Sequence, residues 1–570
     1  MPPPRPLPVT RPPPASGGGG ASGTGGQAGS APDANPELLS RGAGPNPEWI
    51  MRDFTAGMHC NPTRESLAEQ DLWWLENLQP LASGNMVWTK GAINGIQTTE
   101  TTLPYYNTSV LIGTTGGSSA TCVFAAFADG SGWLINGLIS TATQIMAPGT
   151  LTGFIGKTCA CIYVGSPRIG FLVIDPSGYW DYNVTAANTL TKIGATVGTS
   201  IATYAGRVWI GNANVVNFTD INSYNSFGGA GGSLTISDQY LVYGVTCLYA
   251  ANNYLYIFGA ASVDILSNVT VTAGVTSFSR INALQGIGCI YNMTIVGYGR
   301  GVAFLDYTGY YLLAGATPER ISDRIQAVLR SANWPVAGVP WPSACVFTLN
   351  QELCLGLMIP ILDTFSGQQP SRSIVLIYQR HRWWVYKPYV QNAGSGQWLV
   401  PGPMAGATVA IQGGGSPSLG ASWVGCWYVT ATVAAFTTFF SAAPNAPWVI
   451  RTKLWDGTKA FSEKQAVNVA LGGVWTSPLS VATNVTFTVD SELQVSAPQT
   501  LPPLTTKEVG AYGYALDVLY GVMAANQSYG SQFIGLTFNG SQNVLGPTLA
   551  YPSPVSLLAM RGKQERNMLE

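Results

Sequence analysis

From about residue 100 the chain alternates short apolar runs with brief polar breaks, and each break is followed by a second apolar run. Six such pairs are CVFAAFADGSGWLING, CIYVGSPRIGFLVID, IATYAGRVWIGN, VTCLYAANNYLYIFG, MTIVGYGRGVAFLD and CVFTLNQELCLGLM. Apolar runs rich in Val, Ile, Tyr and Phe, broken by Gly, Asn or Pro, are the pattern of antiparallel hairpins. Their turns fall at Gly130, Arg168, Arg207, Asn253, Arg300 and Gln351, at intervals of 38, 39, 46, 47 and 51 residues. A strand-only period of roughly 40 to 50 residues is what a four-stranded propeller blade requires. A chain of β-sandwiches is the alternative, and it has no need of so regular a spacing over more than about two hundred residues. A further hairpin, IVLIYQRHRWWVYKP from Ile374 to Pro388, continues the series.

The flanks read differently. Residues 1–45 are Pro- and Gly-rich with almost no large apolar side chains, so they cannot bury enough area to offset their ordering entropy and are expected to form a flexible arm. Residues 46–100 form a linker in which Ser66-Leu67-Ala68-Glu69 has capping-box spacing and Leu67, Trp74, Leu75 and Leu78 share one helical face. That spacing predicts one short helix from about Leu67 to Leu78. Gln391 to Gly420 is Gly-rich and reads as a loop. After Trp448 come strand-like pieces such as WVIRTKLW and NVTFTVDSELQV. The expected architecture is all-β: a β-propeller of about six to seven blades over residues 101–445, with closing strands or a small β-domain over 446–570.

Composition supports this. Charged residues are only 10% of the chain while hydrophobic residues reach 46%, too apolar for general disorder. A helical protein of this size would solvate its faces with Lys, Glu and Arg, whereas Thr, Ser and Asn cover sheets without charge. The formal net charge of −1 comes from 27 basic and 28 acidic residues with no long run of one sign, so no general phosphate-binding surface is indicated. The nine cysteines are widely spaced and odd in number, without a C-x-x-C pair; Cys159 and Cys161 are the closest. Buried free thiols and folding in a reducing cytoplasm are expected. The N-terminus lacks the apolar core of a signal peptide, so export by that route is not expected. Trp423 to Ala443 is uncharged and about as long as a membrane span, but its Thr, Val, Tyr and Phe suit two paired strands; a membrane-active loop and a resident span are the alternatives.

The chemistry-bearing residues are sparse. With only His59 and His381, a Ser-His-Asp arrangement or a multi-histidine metal site has too few imidazoles. His381 sits in the turn Gln379-Arg380-His381-Arg382 and suits an exposed polar role. Asp129, Asp175, Asp181, Asp220, Asp264, Asp306 and Asp363 lie mostly at turns or strand ends, where Asp bonds nearby backbone N–H groups. The Ser-x-Asp-x-Gly-x-x-Trp box of sialidase blades is absent, as are phosphate loops, dinucleotide fingerprints and EF-hand loops. Trp209, Trp383 and Trp384 alternate with small or β-branched residues and read as core. Trp133, Trp180 and Trp209 stand at different offsets from their turns, unlike the repeated aromatic pockets of a sugar-binding propeller. No catalytic, cofactor-binding or metal-binding residue is expected, and the sequence singles out no channel-lining or interface residue.

Several segments also resemble, in order, the propeller-type tail hub or nozzle proteins of short-tailed bacteriophages, also called packaged-DNA stabilisation proteins. They are YAGRVWIGNANVVNFTD (Tyr204 to Asp220), LYIFGAASVDILSNV (Leu255 to Val269), QGIGC (Gln285 to Cys289), GVAFLDYTGYYLL (Gly301 to Leu313), RISDRI (Arg320 to Ile325) and IVLIYQRHRWW (Ile374 to Trp384). The likeness is good from Ala202 to Val390 and weak on either side; the arm and the uncharged segment fall outside it. It implies a non-enzymatic virion protein, made in the host bacterial cytoplasm, that assembles as a homohexameric ring in the virion tail. The ring would continue the portal channel, retain packaged DNA and conduct it during ejection. The implied partners are portal or tail adaptor proteins, tail fibres or spikes, and double-stranded DNA passed without sequence-specific binding; transient contact with the host membrane belongs to the membrane-active-loop reading of Trp423 to Ala443. The alternative is a carbohydrate- or receptor-binding propeller of the virion or cell surface.

Overall fold

The computed structural model describes residues 48–563 apart from connecting segments, the longest of which are 89–105, 362–371, 387–397, 428–447, 455–464 and 542–553. The arm expected at 1–45 and residues 428–443 of the uncharged segment lie outside the described residues. The hairpins of the central region assemble into consecutive antiparallel sheets. Five have four strands each, over 106–146, 159–194, 200–235, 245–285 and 296–320. A sixth begins with four strands over 343–386, and a seventh has the three strands Trp398–Met404, Ala407–Ser416 and Ala421–Trp427.

The first strands of neighbouring sheets lie side by side: Tyr106–Ile112, Cys159–Gly165, Ser200–Tyr204, Val245–Ala251, Val296–Tyr298, Ser343–Leu349 and Trp398–Met404. Between the fourth and fifth, the Gly297 N–H donates to the Tyr249 hydroxyl at 2.7 Å. The seventh returns to the first, closing the ring. Among the described residues these seven sheets form a seven-bladed β-propeller, all-β as the periodicity predicts.

Local chemistry sets the hairpins. Tyr204 pairs with Arg207, and Ala251 with Tyr254, leaving two-residue connections. Ala205 and Gly206 (φ 50° and 68°) and Asn252 and Asn253 (φ 52° and 62°) occupy the left-handed region. Such turns match the twist of the strands they join. Five of the turns read from the sequence lie at or beside the connection between first and second strands. Gly130 does not: it lies between the second and third strands of the first sheet, Cys122–Phe127 and Gly132–Asn136. The interval of 38 residues therefore compares unlike places.

The core lies between blades. Phe124, Phe171 and Tyr182 pack the first against the second; Leu172, Ile174, Ile201 and Ile210 the second against the third. Trp209, Phe218, Leu255 and Leu266 join the third and fourth, and Phe258, Val263, Phe304 and Leu313 the fourth and fifth.

The predicted helix is overturned. Arg64–Ser66 forms a single 3-10 turn, Leu67 is already extended (φ −64°, ψ 147°), and Trp74–Glu76 is a strand. Its three residues are buried because neighbours cover it on both sides, so a one-faced helical stripe is the wrong template for it. The helix present among the described residues is Gln326–Arg330, directly after the RISDRI segment. The Gly-rich stretch Gln391 to Gly420 is likewise not a loop throughout, since it supplies two strands of the seventh blade.

Both flanks of the propeller meet on the sixth blade. Beyond Arg382–Tyr386 the sheet continues through Trp74–Glu76, Trp448–Arg451, Ile534–Ser541, Asn484–Ser491 and Gln499–Leu501, nine strands in all. Trp74–Glu76 runs parallel to the blade, with Glu76 opposite Val385, and antiparallel to Trp448–Arg451. A second sheet joins Glu48–Ile50, Met560–Lys563, Gln465–Trp475, Ala515–Ser528 and Pro503–Val509.

Candidate functional site

Three of the carboxylates flagged in the repeats, Asp175, Asp220 and Asp306, serve the backbone. Asp175 Oδ1 accepts from the Ser177 N–H (2.9 Å), the Ser177 hydroxyl (2.6 Å) and the Thr152 N–H (3.0 Å). Asp306 repeats the device three blades on, accepting from the Thr308 N–H (2.8 Å) and hydroxyl (2.6 Å) and from the Gly288 N–H (3.1 Å). In each case a buried Asp ties the turn between second and third strands to the segment entering its own blade. Asp264 holds Arg280 at 2.8 Å and Asn282 at 2.9 Å. Asp220 caps its own loop through the Ile221 N–H. Asp181 is buried on the third strand of the second blade. Asp129 and Asp363 lie outside the described residues. The structure does not gather these carboxylates into one site: Asp175 and Asp306 tie down the entries to their blades, Asp220 its own loop, and Asp264 the outer strand of its blade.

The two histidines are also apart. His59 Nδ1 lies 2.8 Å from Asp71, which is shared with Arg324 in the turn that follows the fifth blade. His381, exposed in a two-residue turn with φ 65°, bonds the Tyr378 hydroxyl through Nδ1 at 3.1 Å. Among the described residues no group of three or more His, Cys, Asp or Glu is arranged to hold a metal.

The cysteines that look scattered in the sequence occupy a repeated place. Counting back from the last residue before each first turn, Cys161, Ser200, Cys247, Thr294 and Cys345 stand at equivalent positions of blades two to six. The site takes a small side chain, and where it carries a hydroxyl it accepts a backbone N–H: Ser200 Oγ accepts the Leu248 N–H of the next blade at 2.5 Å, and Thr294 Oγ1 accepts the Leu305 N–H of its own blade at 3.2 Å. Burial pushes the Cys60 and Cys289 thiols up to about 12, and raises Cys345 and Cys354 too. Thiols that hold their protons so firmly are poor nucleophiles.

Trp209, Trp383 and Trp384 are fully buried, with indole N–H groups donating to Tyr204 O (3.0 Å), Ile321 O (2.8 Å) and Gln379 Oε1 (3.2 Å). They are packing residues, not a stacking platform for sugars.

Three polar arrangements were not visible in the sequence. Arg64 sends its guanidinium into the C-terminal strands, 2.6 Å from Asp490 and 2.6 Å from Thr452 O, and burial lowers its pKa against the pull of Asp490. Gln79 and Gln379 bond each other at 3.0 Å, and Gln379 also reaches Pro80 O (2.7 Å) and Glu352 (2.9 Å). Arg207, buried and with no carboxylate in contact among the described residues, donates to Thr219 O (2.5 Å), Ala230 O (2.9 Å) and Thr276 Oγ1 (2.8 Å). Burial lowers its pKa as well.

The axis has its own character. None of the seven innermost strands carries Asp, Glu, Lys, Arg or His. On one face, successive turns are latched in the same sense. The Tyr204 hydroxyl donates to Asn253 O (2.8 Å), Asn252 Nδ2 to Arg300 O (3.0 Å), and the Tyr298 hydroxyl to Leu353 O (3.3 Å).

Among the described residues no helix is long and apolar enough to cross a membrane. No family model matches the chain, and no curated protein is similar to it. Solved structures that it resembles include the N-terminal domain of Nup159, at 10% identity and TM-score 0.34, covering 62% of this chain and 99% of that one. Another is BBS1N in its complex with ARL6DN, at 9% identity and TM-score 0.37, covering 60% and 98%.

Proposed function

We propose that the chain is a virion structural protein, the tail hub or nozzle subunit of a short-tailed bacterial virus. Its ring continues the portal channel, retains packaged DNA and conducts it during ejection. The observation that carries this reading is the use made of buried charge. Asp71, Asp175, Asp264, Asp306, Glu352, Asp490, Arg64 and Arg207 are each bonded to a second segment of chain, so the buried charged groups fasten a scaffold. An enzyme would aim some of them into a cleft.

The resemblance follows the same frame, its ordered segments falling on blades three to six. Seven touching inner strands leave an axis lined by side chains, which is no passage for a duplex. The DNA conduit of this reading therefore lies between subunits, in a homohexameric ring built from head-to-tail contacts. Near-neutral charge suits it, since every neutralised phosphate would add affinity and slow transit. Portal or adaptor proteins bind one end of such a ring and fibres or spikes attach around it in the virion tail.

Imaging of the purified full-length protein, alone and with a portal–adaptor assembly, tests this. A ring with a central hole that docks coaxially on the portal is expected. A chain that never forms a ring but binds glycans would replace this reading with the receptor-binding one.

A further inference from the structure

Outer strands of propeller blades are free edges, and four of those here are blunted. Thr141–Met146, Thr189–Gly194, Gly232–Thr235 and Thr317–Arg320 are only four to six residues long. The second of them carries Lys192, and the last carries Pro318, Glu319 and Arg320. Shortness, proline and charge are the devices that stop an edge from recruiting another chain.

The fourth blade breaks this rule. Its outer strand, Val275–Gln285, has 11 residues, as does the hairpin partner Ser262–Thr272. Its one ionisable side chain, Arg280, is taken up by Asp264 at 2.8 Å. Among the described residues the strand is paired on one side only. Its outward row is Val275, Ser277, Ser279 and Ile281, with Val275 68% and Ile281 54% exposed.

The hairpin is held firmly from beneath. Phe278 packs edge-on against Trp209 and Phe218 of the third blade. Thr276 Oγ1 accepts from Arg207 at 2.8 Å and donates to Ala230 O at 2.5 Å. The edge is thus preorganised, which lowers the ordering cost of binding.

We propose that this edge is the contact through which one copy of the chain binds the next, by adding a strand of the neighbour to Val275–Gln285. A row of unpaired N–H and C=O groups flanked by two aliphatic side chains recognises an extended protein segment. Nucleic acid is disfavoured because the face offers no free cation. Sugar is disfavoured because its aromatic ring, Phe278, is turned inward. The occupant is a second copy on two grounds. An unblunted edge recruits further copies of its own chain and seeds open-ended aggregation unless a closed assembly of those copies covers it. The face is also uncharged, matching a chain with 10% charged residues. The ring reading enters only in making the assembly closed.

The test compares the full-length chain with Val275→Lys/Ile281→Lys by light scattering and imaging, with Val495→Lys, 59% exposed and far along the chain, as control. The wild type and the control are expected to assemble, and the double variant to fall to monomer with an unchanged circular dichroism spectrum. A double variant that still forms the wild-type ring overturns the edge contact and leaves the ring reading standing. A wild type that forms pairs or open stacks, dissolved by the double variant, supports the edge contact and overturns the ring. A wild type that stays monomeric at every concentration overturns the edge contact.

Discussion

A Cβ at Gly288 would lie 2.3 Å from the Gly259 carbonyl oxygen and 2.6 Å from the backbone at Ala260, and neither can move without shifting the fourth blade. The glycine of the QGIGC segment is therefore a requirement of close backbone approach, and Gly288→Ala should lower stability by about 1–3 kcal/mol. Urea unfolding should show a lower midpoint with an unchanged slope. The thiols make a second prediction. A buried Cys289 whose pKa rises from 9.0 to about 12 binds its proton more tightly when folded than when unfolded. Its contribution to stability is full below pH 9 and is lost as pH climbs toward 12. Melting temperatures should fall across that window, and Cys289→Ser should flatten the fall. At this scale the sequence was legible where a residue answers to its neighbours. Asp at a turn reads correctly as a backbone acceptor. The Cys161, Ser200, Cys247, Thr294 and Cys345 series stayed hidden, because three residue types fill one site and the equivalence needs the strand register.

Elements were legible in proportion to how local their bonding is. A hairpin such as Ser200–Tyr204 with Arg207–Asn212 finds its partner across two residues, so alternation and turn chemistry suffice. Trp74–Glu76 pairs with Val385 on one side and with Val449 to Arg451 on the other. Nothing in its own window records partners more than about three hundred residues away, and its apolar spacing imitates a helix. Arg64 anchors the same segment to the C-terminal strands. Removing one member of a buried pair leaves the other charge unmatched, at a typical cost of about 3–5 kcal/mol. Arg64→Ala should thus speed amide exchange in Ile534–Ser541 while leaving the second to fifth blades protected. Uniform loss of protection would mean that the pair stabilises the whole molecule rather than this junction.

At the scale of the molecule, periodicity revealed a ring of blades because each blade repeats the same local problem of burying two faces. It could not reveal where the two ends of the chain go. Among the described residues they add no strand to the seventh blade; they lengthen the sixth from four strands to nine, with Trp74–Glu76 as the strand that joins propeller to C-terminal strands. That placement makes one continuous sheet out of two bodies, so they should unfold together, and calorimetry of the wild type should show a single transition. Leu75→Pro removes an N–H and introduces a fixed φ in the middle of that joining strand, where proline is not tolerated. The expected result is two transitions. The earlier would belong to the C-terminal strands, and the later, near the original temperature, to blades whose packing clusters do not include Leu75. If the variant instead melts in one lowered transition, the propeller depends on the joining strand for its own closure. Contact between the seventh and first blades would then be insufficient to hold the ring.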